Sequence, residues 1–141
     1  MIIKYMRNKK IKKVKKIKQP SIKRLKKEAD RVFSIYIRMR DKGVCFTCGC
    51  KKKWQEQQNG HYVSRNYLAT RYDEKNCHAQ CVSCNVFRHG LLTTYALKLI
   101  KRYGGNILQE LDTLKNKPIK MTISDYQALI DLYNSKIKKL K

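Results

Sequence analysis

Two Cys-x-x-Cys pairs flank a Gly60-His61 dipeptide in the middle of this sequence. Cys45 and Cys48 form the first pair, Cys81 and Cys84 form the second, and His61 lies between them. Four thiolates in this spacing suit a tetrahedral zinc ion, because each pair makes a tight turn that brings both sulfurs to one metal. We therefore expect the four cysteines to hold one structural zinc ion per chain.

The alternative interpretation of six cysteines in a short chain is a set of disulfides, which is typical of secreted proteins. The N-terminus is basic throughout and lacks the apolar segment and small-residue cleavage site of a signal peptide, which favours zinc. Cys50 could compete as a ligand, but it follows Cys48 at a poorer spacing. For Cys50 and Cys77 we expect ordinary core or surface positions.

The composition indicates a polyanionic partner. The 141 residues include 34 Lys and Arg against 10 Asp and Glu, which gives a net charge of +24. Such a charge favours nucleic acid, because neutralising phosphates and releasing counterions drives the binding. Lysine-rich codon usage alone would raise Glu as well, and acids are scarce here. No apolar run approaches the roughly 20 residues of a membrane span, so we expect an intracellular protein without a membrane partner.

The charge is concentrated at the N-terminus. Residues 1–19 contain nine Lys or Arg and no acid, so they supply nine of the 24 net charges. Strong self-repulsion and little apolar area predict a flexible basic arm over residues 1–20 that contacts DNA. A membrane-surface helix is the alternative, but its apolar stripe would lack Trp and Phe. Residues 21–141 are predicted to form one domain.

Hydrophobic periodicity and capping residues predict an α+β fold for this domain. An amphipathic helix should begin after Ser21 and stop before Gly43, with two short strands and further helices behind it. The predicted core is 43–90 and the helical flanks are 21–42 and 91–141. Within them we expect strands at 57–63 and about 70–77, and helices from 82, at 91–103, at 106–114 and at 122–140.

Three residues of the predicted core could hydrolyse a phosphodiester. That reaction needs a base to activate water, a cation to stabilise the developing charge and a group that fixes the base. We assign these roles to His61 as the base, to Asn76 as a side chain that holds the His61 loop through backbone hydrogen bonds, and to Asn85 as an oxygen ligand of Mg²⁺. The zinc would be a scaffold that brings Asn85 opposite His61.

At these residues the chain resembles the HNH nucleases in their HNN form, and more narrowly the phage lambda-type NinG (Rap) family. The likeness runs from residue 21 to the C-terminus. It is carried by residues 36–41, 45–49, 60–62, 71–81, 84–85, 95–100 and 122–125.

The resemblance implies a zinc-stabilised ββα-metal core flanked by helices. It also implies a structure-specific endonuclease that cuts branched DNA, such as Holliday junctions and D-loops, in phage recombination. Such an enzyme would use Mg²⁺ or Mn²⁺, act as a homodimer, and work in the cytoplasm of the bacterial host cell if it is phage-encoded.

The chain departs from the family at the metal ligands. Many HNN nucleases have an Asp directly before the catalytic His, where this chain has Gly60, and NinG members have an Asp three residues before it, where this chain has Gln58. The nearest carboxylate is Asp73, which we predict to share the catalytic cation with Asn85; Glu74 is next.

Basic residues around the predicted core are candidates for DNA contacts. Arginine pairs with phosphate through two hydrogen bonds, and His78 would share a strand face with Asn76. Trp54, beside Lys51 to Lys53, could stack on an unpaired base at a branch, with packing on the zinc site as the alternative. The predicted DNA-binding residues are Lys51, Lys52, Lys53, Arg65, Arg71, His78 and Arg88.

Two other functions fit the same residues. A zinc-containing DNA-binding module with a decayed catalytic centre is favoured by the missing carboxylate near His61. An HNH nuclease that acts on linear duplex DNA would need the same three catalytic residues. Cleavage of branched and linear substrates distinguishes the three interpretations.

Overall fold

The computed structural model describes residues 17–141, so the basic arm predicted for residues 1–20 lies almost entirely outside the described residues. Within this range the elements in chain order are α1 (Ile22–Arg40), β1 (Gln58–His61), α2 (Leu68–Arg71), β2 (Cys77–Gln80), α3 (Leu92–Tyr103), α4 (Ile107–Lys115) and α5 (Ile123–Leu140). A 3-10 turn at Trp54–Glu56 precedes β1, and a π-helical turn at Ser83–Phe87 follows β2. None of the helices in this range is both long enough and apolar enough to cross a membrane.

Helix α1 begins where the sequence predicts. Ser21 has extended backbone angles, and its side-chain oxygen accepts a hydrogen bond from the Arg24 N–H at 3.3 Å, which caps the first turn. The helix then buries a stripe of side chains at spacings of one, three and four residues: Leu25, Ala29, Val32, Phe33, Tyr36 and Ile37. Burial of this stripe fixes the orientation of α1 against the rest of the domain.

Helix α5 packs along α1 and completes the larger hydrophobic core. A capping box opens α5 where the sequence predicts a helix to begin: the Thr122 N–H donates to Asp125 at 2.8 Å, and the Asp125 N–H donates to Thr122 at 3.2 Å. The Tyr133 ring meets the Phe33 ring edge-on, with centroids 4.8 Å apart. The buried residues of α5 are Tyr126, Ile130, Tyr133 and Ile137.

The two strands form an antiparallel hairpin that contacts α1. In its register His61 pairs with Cys77 and Gly60 pairs with His78. All four residues of β2 are buried. Strand β2 therefore lies inside the domain, and α1, which packs against α5, contacts both strands.

The predicted position of the second strand, about 70–77, is wrong, because β2 begins only at Cys77. Residues 68–71 form α2, and the chain then turns at Asp73, whose side-chain oxygen accepts from the N–H groups of Lys75 and Asn76 at 2.8 and 3.1 Å. This local turn competes successfully with strand pairing. The first strand is also shorter than the predicted 57–63.

A second, smaller cluster lies under α3 and α4. It consists of the buried residues Tyr95, Leu99, Ile107 and Leu111. The Tyr95 hydroxyl donates to the Gly60 carbonyl at 3.0 Å, which ties α3 to β1. Gly104 ends α3 with a φ of 97°, as the sequence predicts, whereas Asn106 makes no side-chain capping bond.

Candidate functional site

The two cysteine pairs converge on one point. The ligand sulfurs of Cys45, Cys48, Cys81 and Cys84 all lie within 4.8 Å of one another, and the Cys48 and Cys81 sulfurs are 3.8 Å apart. Sulfurs about 2.3 Å from a tetrahedral zinc ion would be separated by roughly 3.8 Å. The predicted cluster is confirmed, and its geometry can hold zinc. All six cysteines are free thiols, so the disulfide alternative does not apply.

The surroundings of Cys45 favour its thiolate form. Burial opposes ionisation of Cys45, but the Cys48 N–H and the Thr47 hydroxyl lower the pKa of its thiol to about 6. The Cys84 N–H donates to the Cys81 sulfur at 3.5 Å. Cys77 has the opposite environment, because complete burial raises the pKa of its thiol well above the usual range. Cys77 is therefore a core residue.

The structure brings His61 and Asn85 to one open pocket of about 420 Å³. This His61 pocket lies between α1 and the edge of β1. Its lining is polar apart from Phe33. The lining residues are Asp30, Phe33, Ser34, Arg38, Gln57, Gln58, Asn59, His61, Arg65, Arg71 and Asn85.

The His61 ring has a defined orientation. Its Nε2 lies 3.0 Å from the Arg71 carbonyl oxygen, which can only accept a hydrogen bond, so Nε2 carries a proton. Burial lowers the pKa of His61, and the nearby charges of Arg71 and Arg65 act in the same direction. The imidazole is therefore neutral near pH 7, with Nδ1 as an unprotonated base.

Asn76 holds both parts of the chain that position His61. Its side chain is fully buried, accepts from the Val63 N–H at 2.7 Å, and donates to the carbonyls of Val63 and Thr70 at 3.0 and 3.1 Å. Val63 lies two residues after His61, and Thr70 directly precedes Arg71, whose carbonyl accepts from the ring. The backbone contacts predicted for Asn76 are thus present. Asn76 does not line the pocket and acts through these neighbours.

Asn85 is carried by the π-helical turn that follows the second cysteine pair. The Asn85 N–H donates to the Cys81 carbonyl at 2.9 Å, so the cysteine cluster fixes the start of the turn. Its side-chain amide donates to the Gln58 side-chain oxygen at 2.8 Å. This bond uses an N–H of Asn85 and leaves its side-chain oxygen available to a cation.

The position before His61 cannot carry a side chain without rearrangement. A Cβ atom on Gly60 would lie 2.1 Å from the side-chain oxygen of Gln80, which is fully buried. The Gln80 amide donates to the Thr47 hydroxyl at 3.1 Å and to the Gly90 carbonyl at 2.9 Å. Gln80 therefore fills the space that a side chain at position 60 would need. The sequence offers no periodic signal for this contact.

Asp73 is not brought to the His61 pocket, so the predicted pairing of Asp73 with Asn85 on a cation is wrong. Asp73 caps the turn before β2 and lines a different pocket beside Ile107 and Leu111. The carboxylate of Glu74 is also used elsewhere, because it accepts hydrogen bonds from Tyr36, Tyr133 and Lys136.

The carboxylate that does line the pocket is Asp30 of α1, which sequence reasoning missed. It accepts from the Arg71 guanidinium at 2.8 and 2.5 Å and from the Tyr72 hydroxyl at 2.9 Å. Burial alone would raise the pKa of Asp30, but the bonds from Arg71 and Tyr72 lower it. The one indication in the sequence is that Asp30 lies next to the apolar stripe of α1, between Ala29 and the Val32–Phe33 pair.

Residues that could hold a catalytic cation in this pocket are mostly neutral amides. The side-chain oxygen of Asn59 is buried and has no hydrogen-bond partner, and Asn85, whose amide N–H bonds to Gln58, lines the same pocket. Mg²⁺ prefers oxygen ligands but usually takes one or two carboxylates as well as substrate phosphates. Asp30 is engaged by Arg71, so the residues fit a cation whose negative ligands come mainly from a bound phosphate.

The predicted DNA contacts divide into exposed and buried residues. His78 is fully buried, stacks on Phe46 at 4.0 Å and lies 2.9 Å from the Arg40 guanidinium, so its predicted approach to phosphate is wrong. Arg71 lines the His61 pocket, but its side chain is only 8% exposed and is paired with Asp30, so its predicted DNA contact stays a prediction. The exposed candidates are Lys51, Lys52, Lys53, Arg65 and Arg88, and of these Arg65 borders the His61 pocket.

Comparison with known proteins gives a consistent family. Residues 4–141 match the family model described as Bacteriophage Lambda NinG protein. The chain is 30% identical over 116 residues to the "Protein ninG" sequences of Escherichia phage 933W, Escherichia phage lambda and Salmonella phage P22. Each match covers 82% of this chain but only 56 or 57% of the relative, so the chain spans little more than half of their length. No solved structure matches the chain.

Proposed function

This chain belongs to the NinG family of bacteriophage proteins, and we propose that it is a metal-dependent endonuclease of the HNH superfamily, in the HNN form. Its proposed substrates are branched recombination intermediates, such as Holliday junctions and D-loops. We propose that it acts as a homodimer in the cytoplasm of the bacterial host cell. The observation that carries this proposal is the neutral His61, with its proton held on Nε2 and its Nδ1 unprotonated, in one pocket with Asn85.

The order of the elements supports the superfamily assignment. A short hairpin of β1 and β2 is followed by a helical turn, and the three residues of the motif fall one on each part: His61 ends β1, Asn76 directly precedes β2, and Asn85 lies in the turn. The cysteine cluster joins the segment before β1 to the turn after β2. From this arrangement we infer a ββα-metal core in which a bound zinc would be a scaffold.

In the proposed reaction His61 is the general base. Its Nδ1 takes a proton from the attacking water, and the Arg71 carbonyl stabilises the resulting imidazolium through the Nε2–H bond. Asn76 keeps the Arg71 segment and the His61 loop at a fixed separation throughout the reaction. A bound Mg²⁺ or Mn²⁺ would stabilise negative charge on the phosphate and on the leaving oxygen.

The basic residues around the pocket fit a phosphodiester substrate. Arg65 is exposed at the rim, and Arg38 lines the wall. Arg38 also lies 5.2 Å from the centre of the Trp54 ring, so Trp54 packs on this arginine and is only partly exposed. A substrate phosphate here would lie near these positive charges. It would also supply the negative ligands that a cation held by the neutral side chains of Asn59 and Asn85 lacks.

A DNA-binding module without cleavage is the second candidate, because no free carboxylate faces the cation position among the described residues. A purified-protein assay separates the candidates. Wild type, His61→Asn and the matched control His89→Asn are incubated with a four-way junction, a flap and a linear duplex, with Mg²⁺ or Mn²⁺. His89 is exposed and does not line the His61 pocket.

We expect wild type and His89→Asn to cut branched DNA and His61→Asn to bind it without cutting. Tight binding by all three proteins with no cutting by any would leave the DNA-binding module as the function. Equal cutting of linear and branched substrates would instead assign an HNH nuclease of linear duplex DNA.

A further inference from the structure

A second basic pocket, of about 610 Å³, lies on the other side of the hairpin. It is bordered by the end of α1, the first cysteine pair and α3. Five cationic residues line it, and one of them, Arg40, is paired with Asp41. We call the other four the α3 basic surface: Lys42, Lys98, Lys101 and Arg102. This pocket shares no lining residue with the His61 pocket.

The positive charge of the α3 basic surface is not neutralised within the protein. None of its four cations forms an ion pair with another described residue. The one carboxylate that lines the pocket, Asp41, is 7% exposed and is occupied by the Arg40 guanidinium and the Ala79 N–H. Arg102 is steadied over the Phe46 ring at 5.9 Å. The pocket therefore presents up to four free positive charges.

The two pockets lie at opposite edges of the two-stranded sheet. The edge of β1 contributes Gln58, Asn59 and His61 to the His61 pocket. On the outer edge of β2, the Ala79 carbonyl accepts from the Phe46 N–H at 2.7 Å, and the Ala79 N–H donates to the Asp41 carboxylate at 2.8 Å. Phe46 and Asp41 both line the second pocket.

The two pockets also lie on opposite faces of α1 near its end. Arg38 lines the His61 pocket and Arg40 lines the second, and residues two positions apart on an α-helix point about 200° apart. The hairpin and the end of α1 thus stand between the two surfaces. A phosphate bound at His61 cannot also contact the α3 basic surface.

We propose that the α3 basic surface binds the phosphate backbone of a second duplex arm of a branched DNA, while the first arm lies at the His61 pocket. This inference rests on the proposed function. The α3 basic surface would be the feature by which the protein distinguishes a branched DNA from a linear duplex. A linear duplex can contact one surface at a time, whereas two arms that diverge from a branch can contact both. Phosphate contacts of this kind fix orientation without reading sequence.

The test measures binding in a His61→Asn background without divalent metal, so it does not depend on cleavage. Lys98→Gln with Lys101→Gln removes two charges from the surface. The matched control is Lys117→Gln with Lys120→Gln, which removes two charges from exposed positions outside both pockets. Affinity for a four-way junction and for a linear duplex of equal length is measured over a series of salt concentrations.

Each phosphate contact contributes about 0.9 to the slope of log affinity against log salt. We expect the Lys98/Lys101 variant to lose about 1.8 from the slope for the junction, with little change for the linear duplex, and the control to change both substrates equally. Unchanged junction affinity, or an equal loss on both substrates, would overturn the proposal. Failure of wild type to cut any DNA would remove the nuclease function but would not alter this comparison.

Discussion

Replacement of Asn76 tests how the fold positions the proposed base. The side chain makes three hydrogen bonds to backbone groups, one with the Val63 N–H and two with the carbonyls of Val63 and Thr70. Asn76→Ala removes all three bonds and leaves a buried space. The Val63 N–H then loses the side-chain oxygen that accepts its hydrogen bond.

The size of the effect follows from these bonds. An orphaned buried donor costs about 1–3 kcal/mol, and each of the two bonds lost at carbonyls adds about 1 kcal/mol. The expected loss of unfolding free energy is therefore about 3–5 kcal/mol. Domains of this size are stable by about 5–15 kcal/mol, so the variant should fold but unfold at a clearly lower urea concentration.

Asn76→Asp provides a finer comparison. The introduced carboxyl keeps an acceptor for the Val63 N–H, but its second oxygen faces two carbonyls that the amide had bonded. Burial and these carbonyls should raise the pKa of the introduced group in the folded state above its unfolded value of about 3.9. The variant should then be least stable above that folded-state pKa and should recover stability as the pH falls towards about 4.

Urea unfolding at fixed zinc concentration measures the stabilities, and single-turnover cleavage of a four-way junction measures the chemistry. We expect both variants to lower the cleavage rate more than they lower DNA affinity, because Asn76 does not line the pocket. An Asn76→Ala protein with wild-type stability and wild-type cleavage would refute the reasoning.

Four further predictions use other contacts. Removing zinc with a chelator, or Cys81→Ser, should abolish cooperative unfolding of the core; metal analysis that finds no zinc in the folded protein would contradict this. Cleavage should fall as the pH is lowered through a midpoint below 6.5, since the pKa of His61 is lowered and only the neutral ring acts as a base; a midpoint above 7 in the pH–rate profile would exclude His61. Gly60→Ala should cost about 1–3 kcal/mol in urea unfolding, because the new methyl group would collide with Gln80, and an unchanged midpoint would show that Gln80 moves freely. Gln58→Asp should tighten Mn²⁺ binding measured by calorimetry, because it adds a carboxylate next to Asn85, and equal affinity would mean that the cation does not bind there.

The parts of the fold that the sequence predicts well are those with a local signal. Helix α1 has a capping serine and a regular apolar stripe, and α5 has its capping box at Thr122, so both begin where expected. The cysteine cluster follows from the spacing of its pairs. Strand β2 gives no such signal, since all four of its residues are buried and the alternation of a half-exposed strand is missing.

The polar contacts of the site were less predictable because they join distant parts of the chain. Asp30 reaches Arg71 from a different helix, and Gln80 fills the space above Gly60 from the neighbouring strand. Histidine is a residue type that can bind phosphate, but His78 is buried against Phe46. That burial depends on how the hairpin packs, which the local sequence does not indicate. Residue type and spacing pointed to His61 and Asn85, which the structure brings to one pocket, whereas tertiary packing decided that Asp30 is the carboxylate that lines it.

The most direct test of the account is the single-turnover rate at which saturating His61→Asn protein cuts a four-way junction, compared with wild type and His89→Asn. A positioned general base contributes about 10²–10⁴-fold to the rate. We predict a loss of that size for His61→Asn at unchanged junction affinity, and none for His89→Asn. Cleavage by His61→Asn within about twofold of wild type would contradict the assignment of His61 as the base and, with it, the proposed active site.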